Sequence, residues 1–154
     1  MVDELINESN ILINLKASNK DEVLSEMSDL LFKNGFFKDT YKKAVIEREH
    51  EFATGLPTNY CSIAIPHTDS EHVIDNGIGI AILANEVPFI EMGSINKVLQ
   101  VKIVFLLAID KAEAQLSLLQ KLMELFQNDI KLKNILKMNE SNKLAELLKS
   151  YLSK

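Results

Sequence analysis

The sequence predicts an α/β fold: a single-domain mixed sheet flanked by helices on both faces. Three observations predict it. Residues 101–108 form a continuous apolar run broken only by Lys102, the pattern of a strand buried on both faces. Shorter β-like runs at 11–15, 63–65 and 77–83 alternate with segments of helical periodicity. Three more helical patterns follow the long run, so strands and helices are interleaved along one chain. The 154 residues, 47% of them hydrophobic, suffice for one core, and residues 1–154 are expected to form one domain.

In chain order, residues 11–15 read as a strand. A helix opens at Ser18 or Asn19, with Asp21 and Glu22 in its first turn, where acids suit the helix dipole. Its apolar positions are Val23, Leu24, Met27, Leu30 and Leu31, and Gly35 is its expected stop. A second helix starts near Asp39, with an inward stripe of Tyr41, Ala44 and Val45 that reaches Arg48. Residues 52–60 contain Gly55 and Pro57 and read as a loop. The run 63–65 is stopped by Pro66, which has no N–H to give a ladder.

Residues 77–83 read as a strand whose Gly77 and Gly79 mark close packing, and 87–90 as another. After the central strand, Asp110 and Glu113 form a capping pattern for a long helix. Leu116, Leu119 and Met123, with Leu118, Leu122 and Phe126, are its expected buried side. Helices at 130–137 and 141–152 complete the chain.

Composition removes several classes of function. The formal net charge is −5 and the lysines are scattered, which argues against nucleic acid as a partner. One cysteine, Cys61, permits no intrachain disulfide and suits a reducing compartment. The first ten residues lack a basic start with an apolar run, so no signal peptide is expected, and no apolar stretch approaches the ~20 residues that span a bilayer. The chain has no phosphate-binding P-loop and no nucleophile elbow.

Of the three histidines, His67 has the most telling setting. It follows a short strand and a proline, so a rigid element holds it where solvent can reach it. An ordinary turn histidine would look the same. A metal site drawing on His50, His67, Asp69, Glu71 and His72 is a competing reading, but the spacing matches no standard zinc motif. Arg48, the single arginine, is either a snorkelling side chain or a functional one.

The stretch ATGLPTNYCSIAIPHTDSEHV, residues 53–73, resembles the active-site segment of the EIIA components of the bacterial phosphotransferase system (PTS), type 2, the mannitol/fructose superfamily. Ala64, Ile65, Pro66 and His67 match its A-[apolar]-P-H signature. The resemblance extends to the helix with Arg48, to the run 101–108 and to Q-L-x-L-L at 115–119, so it covers nearly the whole chain. The T-G-L before the signature and the T-D-x-E-H-V after it look most like galactitol-specific members.

The resemblance implies a concrete set of roles. His67 accepts a phosphoryl group from the phosphocarrier HPr and passes it to the cysteine of a cognate EIIB. Arg48 stabilises the phosphoryl oxygens. Gln115 stands where mannitol-type members carry a second histidine and is a candidate phosphoryl contact. Thr68 and Ser62 are nearby hydroxyls whose ordinary role is to close a turn or strand end. The inner ring nitrogen of His67 is expected to bond a backbone carbonyl, leaving the outer one to react. The phosphoryl group arrives already activated, so neither cofactor nor metal is implied. The protein is expected in the cytoplasm, touching the membrane only indirectly through EIIC. A phosphorylation-controlled regulator of the nitrogen-related type is the competing function.

Overall fold

The computed structural model describes residues 2–153. Strands are β1 (Ile6–Leu15), β2 (Gly55–Leu56), β3 (Ser62–Ala64), β4 (Gly77–Ile90) and β5 (Val98–Ala108). Helices are α1 (Lys20–Lys33), α2 (Tyr41–Glu51), α3 (Ala112–Phe126), α4 (Asp129–Leu136) and α5 (Ser141–Leu152). The sheet order is β1-β4-β5-β3-β2. β1 runs parallel to β4 and β3 parallel to β5, whereas β4–β5 and β2–β3 are antiparallel, so the sheet is mixed.

The two central strands explain the two helical layers. Side chains alternate faces along a strand. Ile78, Ile80 and Ile82 of β4 and Ile103, Phe105 and Leu107 of β5 enter one core with α3, α4 and α5. Ala81, Leu83, Val104, Leu106 and Ala108 enter the other core with α1 and α2. Gly77 and Gly79 permit this second layer to lie close, because a Cβ at either would meet the Phe36 ring or Leu31 at 2.8 Å. Among the described residues no helix is long and apolar enough to cross a membrane.

Helix α1 begins as expected: Asn19 caps it by accepting the Glu22 N–H at 2.9 Å, and Gly35 beyond its end takes φ 89°. Five differences from the sequence reading have physical causes. β1 starts five residues earlier than its apolar segment, because Asn7, Glu8 and Ser9 are exposed strand positions without an apolar signal. The runs 77–83 and 87–90 are one strand, with a register irregularity between Ile82 and Val87. The loop 52–60 contains β2, an edge strand too short to show periodicity.

Asp110 does not cap α3. Its backbone N–H bonds Asn76 Oδ1 at 2.8 Å, and Lys111 takes the cap position with no side-chain bond. Finally, Leu116 and Met123 lie outside the buried side of α3, at 59% and 40% exposure; Leu118, Leu122, Leu125 and Phe126 are its buried residues.

Gly55 sits where β2 meets the β4–β5 hairpin. A Cβ there would lie 2.6 Å from the Ile90 carbonyl oxygen, a backbone atom that cannot swing aside. The Gly55 carbonyl also accepts the Met92 N–H at 2.8 Å. Gly55→Ala is therefore expected to lower stability by about 1–3 kcal/mol, as overpacked sites do. A urea denaturation midpoint unchanged by the substitution would contradict this.

Candidate active site

The sheet's parallel β3–β5 pair brings the chemistry to one end. β3 ends at Ala64, and the chain is still held beyond it: the Ile65 N–H bonds the Thr54 carbonyl at 3.3 Å and the Pro66 carbonyl accepts the Leu107 N–H at 3.1 Å. Pro66 loses nothing by lacking an N–H, since its carbonyl alone makes the ladder contact. The Leu107 carbonyl in turn accepts the buried Tyr41 hydroxyl of α2 at 2.7 Å. His67 thus projects from a peptide anchored on both sides.

The imidazole of His67 has its Nδ1 2.9 Å from the Ile65 carbonyl oxygen. A carbonyl only accepts, so Nδ1 carries the proton and the neutral ring keeps its lone pair on Nε2. Burial holds the ring's pKa below the ordinary 6.5; the Ile65 hydrogen bond opposes that shift, the Arg48 charge reinforces it and Asp69 opposes it. At neutral pH the ring is therefore uncharged and nucleophilic.

His67 lines an open pocket of ≈ 290 Å³ with Arg48, Thr68, Asp69, Ser70, Ile109, Ala112 and Gln115. Arg48 reaches it from the last turn of α2. Its guanidinium lies 5.2 Å from the Phe52 ring centroid and 3.7 Å from Asp69 Oδ1, with the side chain 37% exposed. Gln115 comes from the first turns of α3, whose Ala112 also lines the pocket. The N–H groups opening that helix have no partner within it, and the dipole there favours an anion. A planar cation, an amide side chain and a helix start thus surround a neutral imidazole: the arrangement can take a phosphoryl group and bond its oxygens.

Arg48, His67 and Gln115, from three separate segments of the chain, line this one pocket. Thr68 joins them, 8% exposed, whereas Ser62 does not line the pocket. The other two histidines lie elsewhere. His72 Nδ1 is 2.8 Å from the Thr40 hydroxyl, and His50 Nε2 is 2.8 Å from Asp21 on α1. The metal constellation does not assemble: among the described residues no three His, Cys, Asp or Glu side chains converge at ligand spacing. Cys61 is half-buried, and burial pushes its thiol up to about 11, far from a reactive thiolate.

Two residues were missed in the sequence. Asp69, weighed only as a metal ligand, instead faces Arg48 across the pocket. Glu49, 2% exposed, is buried beside Arg48. Its signal was present: Tyr41, Val45 and Glu49 are spaced by four, and all three are the buried residues of α2.

The fold is that of mannitol-type EIIA proteins. The crystal structure of IIA mannitol from Escherichia coli superposes with a TM-score of 0.76 at 22% identity, covering 93% of this chain and 98% of that one. The IIA mannitol–phosphorylated IIB mannitol complex from the same organism gives 0.76 at 19% identity, over 94% of this chain and 97% of that one. In sequence, the PTS system galactitol-specific EIIA component of Escherichia coli (strain K12) is 34% identical over 112 residues, 72% of this chain and 74% of that protein. The PTS system fructose-specific EIIABC component of Bacillus subtilis (strain 168) is 34% identical over 79 residues, 50% of this chain and 12% of that protein.

The family model described as phosphoenolpyruvate-dependent sugar phosphotransferase system, EIIA 2, matches residues 4–151, and the chain belongs to that family. It is a phosphotransferase that relays a phosphoryl group within the sugar phosphotransferase system.

Proposed function

We propose that His67 is the phosphoryl acceptor, charged by HPr and discharged to the cysteine of a cognate EIIB, in a system that takes up galactitol. The observation that carries this is the pinning of Nδ1 by the Ile65 carbonyl, which directs the Nε2 lone pair to chemistry beside Arg48 and Gln115. In the charging step Nε2 attacks the phosphorus of phosphohistidine on HPr; the P–N bond there breaks as a new one forms on His67. In the discharging step the EIIB thiolate attacks the same phosphorus, a P–S bond forms, and the electron pair of the P–N bond returns to Nε2. Nδ1 keeps its proton throughout. Arg48 and Gln115 bond the equatorial oxygens, where charge gathers during transfer.

Both partners would dock by turns on the surface around the pocket. Leu116, which follows Gln115, and Met123, about two turns further along α3, are exposed and supply apolar area for such a transient interface. Near the pocket, Ile65 and Val73 are core, at 3% and 8% exposure, whereas Leu56 is partly at the surface. The galactitol assignment rests on the 34% identity to the galactitol-specific protein. That relative favours transport over a regulatory role, for which the fold alone does not discriminate: the nitrogen regulatory protein IIA-Ntr from Neisseria meningitidis superposes equally well, with a TM-score of 0.75 at 18% identity over 96% of this chain and 98% of that one.

The test is intact mass spectrometry after mixing the protein with phosphoenolpyruvate, Enzyme I and HPr, then adding EIIB proteins for galactitol, mannitol and fructose. One acid-labile phosphoryl group, lost fastest to the galactitol EIIB, is the expected result. No adduct from phosphorylated HPr would overturn the relay, and preferred transfer to another EIIB would overturn the sugar.

The pH dependence has a definite sign. Only neutral imidazole attacks, and His67 titrates below 6.5, so it stays neutral to lower pH than a free histidine. The acid limb of the initial rate of uptake from HPr is therefore expected to be centred below pH 6.5. An acid limb centred above 6.5, with HPr itself fully charged, would contradict the burial argument.

A further inference from the structure

Glu49 occupies a core position of α2, at 2% exposure, where a carboxyl group must find partners. It finds both on one residue. Glu49 Oε2 accepts the Thr54 N–H and Oε1 the Thr54 hydroxyl, each at 2.8 Å. Thr54 is itself buried, and its carbonyl accepts the Ile65 N–H at 3.3 Å. The carbonyl of that same Ile65 accepts the His67 Nδ1–H at 2.9 Å. An unbroken chain of hydrogen bonds and one peptide backbone therefore runs from Glu49 to the ring of His67. The residue preceding Glu49 is Arg48, so one helix end presents the guanidinium to the pocket and clamps the segment that orients the imidazole.

We propose that Glu49 is a positioning residue for His67: through Thr54 and the Ile65 peptide it fixes the carbonyl that keeps the proton on Nδ1 and Nε2 open for phosphoryl transfer. The significance of an open Nε2 rests on His67 being the acceptor; the positioning itself does not. Hydrogen bonding, not charge, carries the effect. Burial raises the Glu49 carboxyl to about 7, against the Thr54 bonds and the charges of Lys20 on α1 and His50 on α2 that face it. Near neutrality both protonation states are present, and either can hold Thr54. A protonated carboxyl still accepts the N–H on one oxygen and shares a proton with the hydroxyl on the other. Glutamine has the same shape and retains two such contacts.

The experiment reads the His67 ring by 15N NMR in the unphosphorylated protein, with no phosphoryl donor present, and then measures phosphoryl uptake from HPr. Wild type is expected to show the Nδ1–H tautomer. Glu49→Ala should shift His67 toward a mixture of tautomers and slow uptake by about tenfold, the usual scale for residues that orient a reacting group. Glu49→Gln should restore both. Val45→Ala, a cavity in the same helix without a polar partner, should lower stability and leave the tautomer alone.

Thr54→Val removes one of the two bonds while keeping the shape; it should shift the tautomer in the same direction and serves where Glu49→Ala does not fold. An unchanged tautomer in both Glu49→Ala and Thr54→Val, an equal change in Val45→Ala, or a Glu49→Gln variant that behaves like Glu49→Ala would each overturn the proposal. Because the tautomer is read before any phosphoryl group is added, its outcome is separate from whether wild-type His67 becomes phosphorylated.

Discussion

The His67→Gln variant is expected to take up no phosphoryl group from HPr and to pass none to EIIB, while folding normally. Glutamine carries an amide whose nitrogen lone pair is delocalised, so it offers no nucleophile at neutral pH. The loss should be complete rather than partial, because no other imidazole stands in the pocket. His72 is tied to Thr40 and His50 to Asp21, each outside the pocket lining. His72→Gln is accordingly expected to leave stoichiometric labelling in place and at most to slow it. Folding should survive the His67 change, since the ring makes one hydrogen bond to a backbone carbonyl and is half-buried; such a bond contributes about 1 kcal/mol. Intact mass with and without acid treatment decides the matter. Stoichiometric, acid-labile labelling of His67→Gln would place the acceptor elsewhere.

The second large effect is expected at Arg48. Arg48→Lys keeps the positive charge but exchanges a planar fork for a point charge. The guanidinium is held at the pocket edge by the Phe52 ring and by Asp69, at 5.2 Å and 3.7 Å. A lysine there could not present two parallel N–H donors in the fixed planar fork that matches a pair of phosphoryl oxygens, and its stacking on Phe52 would be weaker. Loss of one such interaction in the transition state is expected to slow transfer to EIIB by about 10- to 100-fold, or ~1.4–2.7 kcal/mol.

Stability should change far less. The ion pair with Asp69 is long and its partner side chain is 71% exposed, so the pair contributes about 0–1 kcal/mol. A single-turnover measurement from the phosphorylated protein to EIIB, set beside a denaturation midpoint, separates the two effects. Near-normal transfer would return Arg48 to the role of a snorkelling side chain.

The contrast between Arg48 and Glu49 shows what kind of information a sequence carries. Both lie on the last turns of α2, and stepping along the stripe from Val45 leads to either one. The structure selects the i+4 step, so Glu49 is buried and Arg48 flanks it at the pocket edge. A helical repeat of 3.6 residues leaves that choice open until the helix is seated against the sheet. Leu116 and Met123 teach the same lesson in reverse. Their spacing on α3 matches a buried stripe, yet the core is already filled by Leu118, Leu122, Leu125 and Phe126, and the other leucine face remains in solvent.

Local signals were reliable where a single residue type has a single physical consequence. Asn19 and Gly35 delimit α1 because a short polar side chain satisfies an opening N–H and a glycine accepts positive φ. The apolar character of 101–108, broken only by Lys102, placed β5 at the centre, since a strand this apolar must be covered on both faces. The A-[apolar]-P-H signature singled out His67, and its neighbours in sequence pointed to the family. By itself, then, the sequence determined the mixed α/β architecture, the family and which histidine to examine. The resemblance also named Arg48 and Gln115, but how they and Asp69 stand around that histidine was decided by tertiary structure. Arg48, Asp69 and Gln115 are brought to it by α2, by the turn after β3 and by α3, whose relative placement depends on packing between residues far apart in the chain. The resemblance implied the tautomer of His67, but its physical cause is tertiary: the direction of one carbonyl, Ile65, that β3, β5 and the Thr54 segment hold in place.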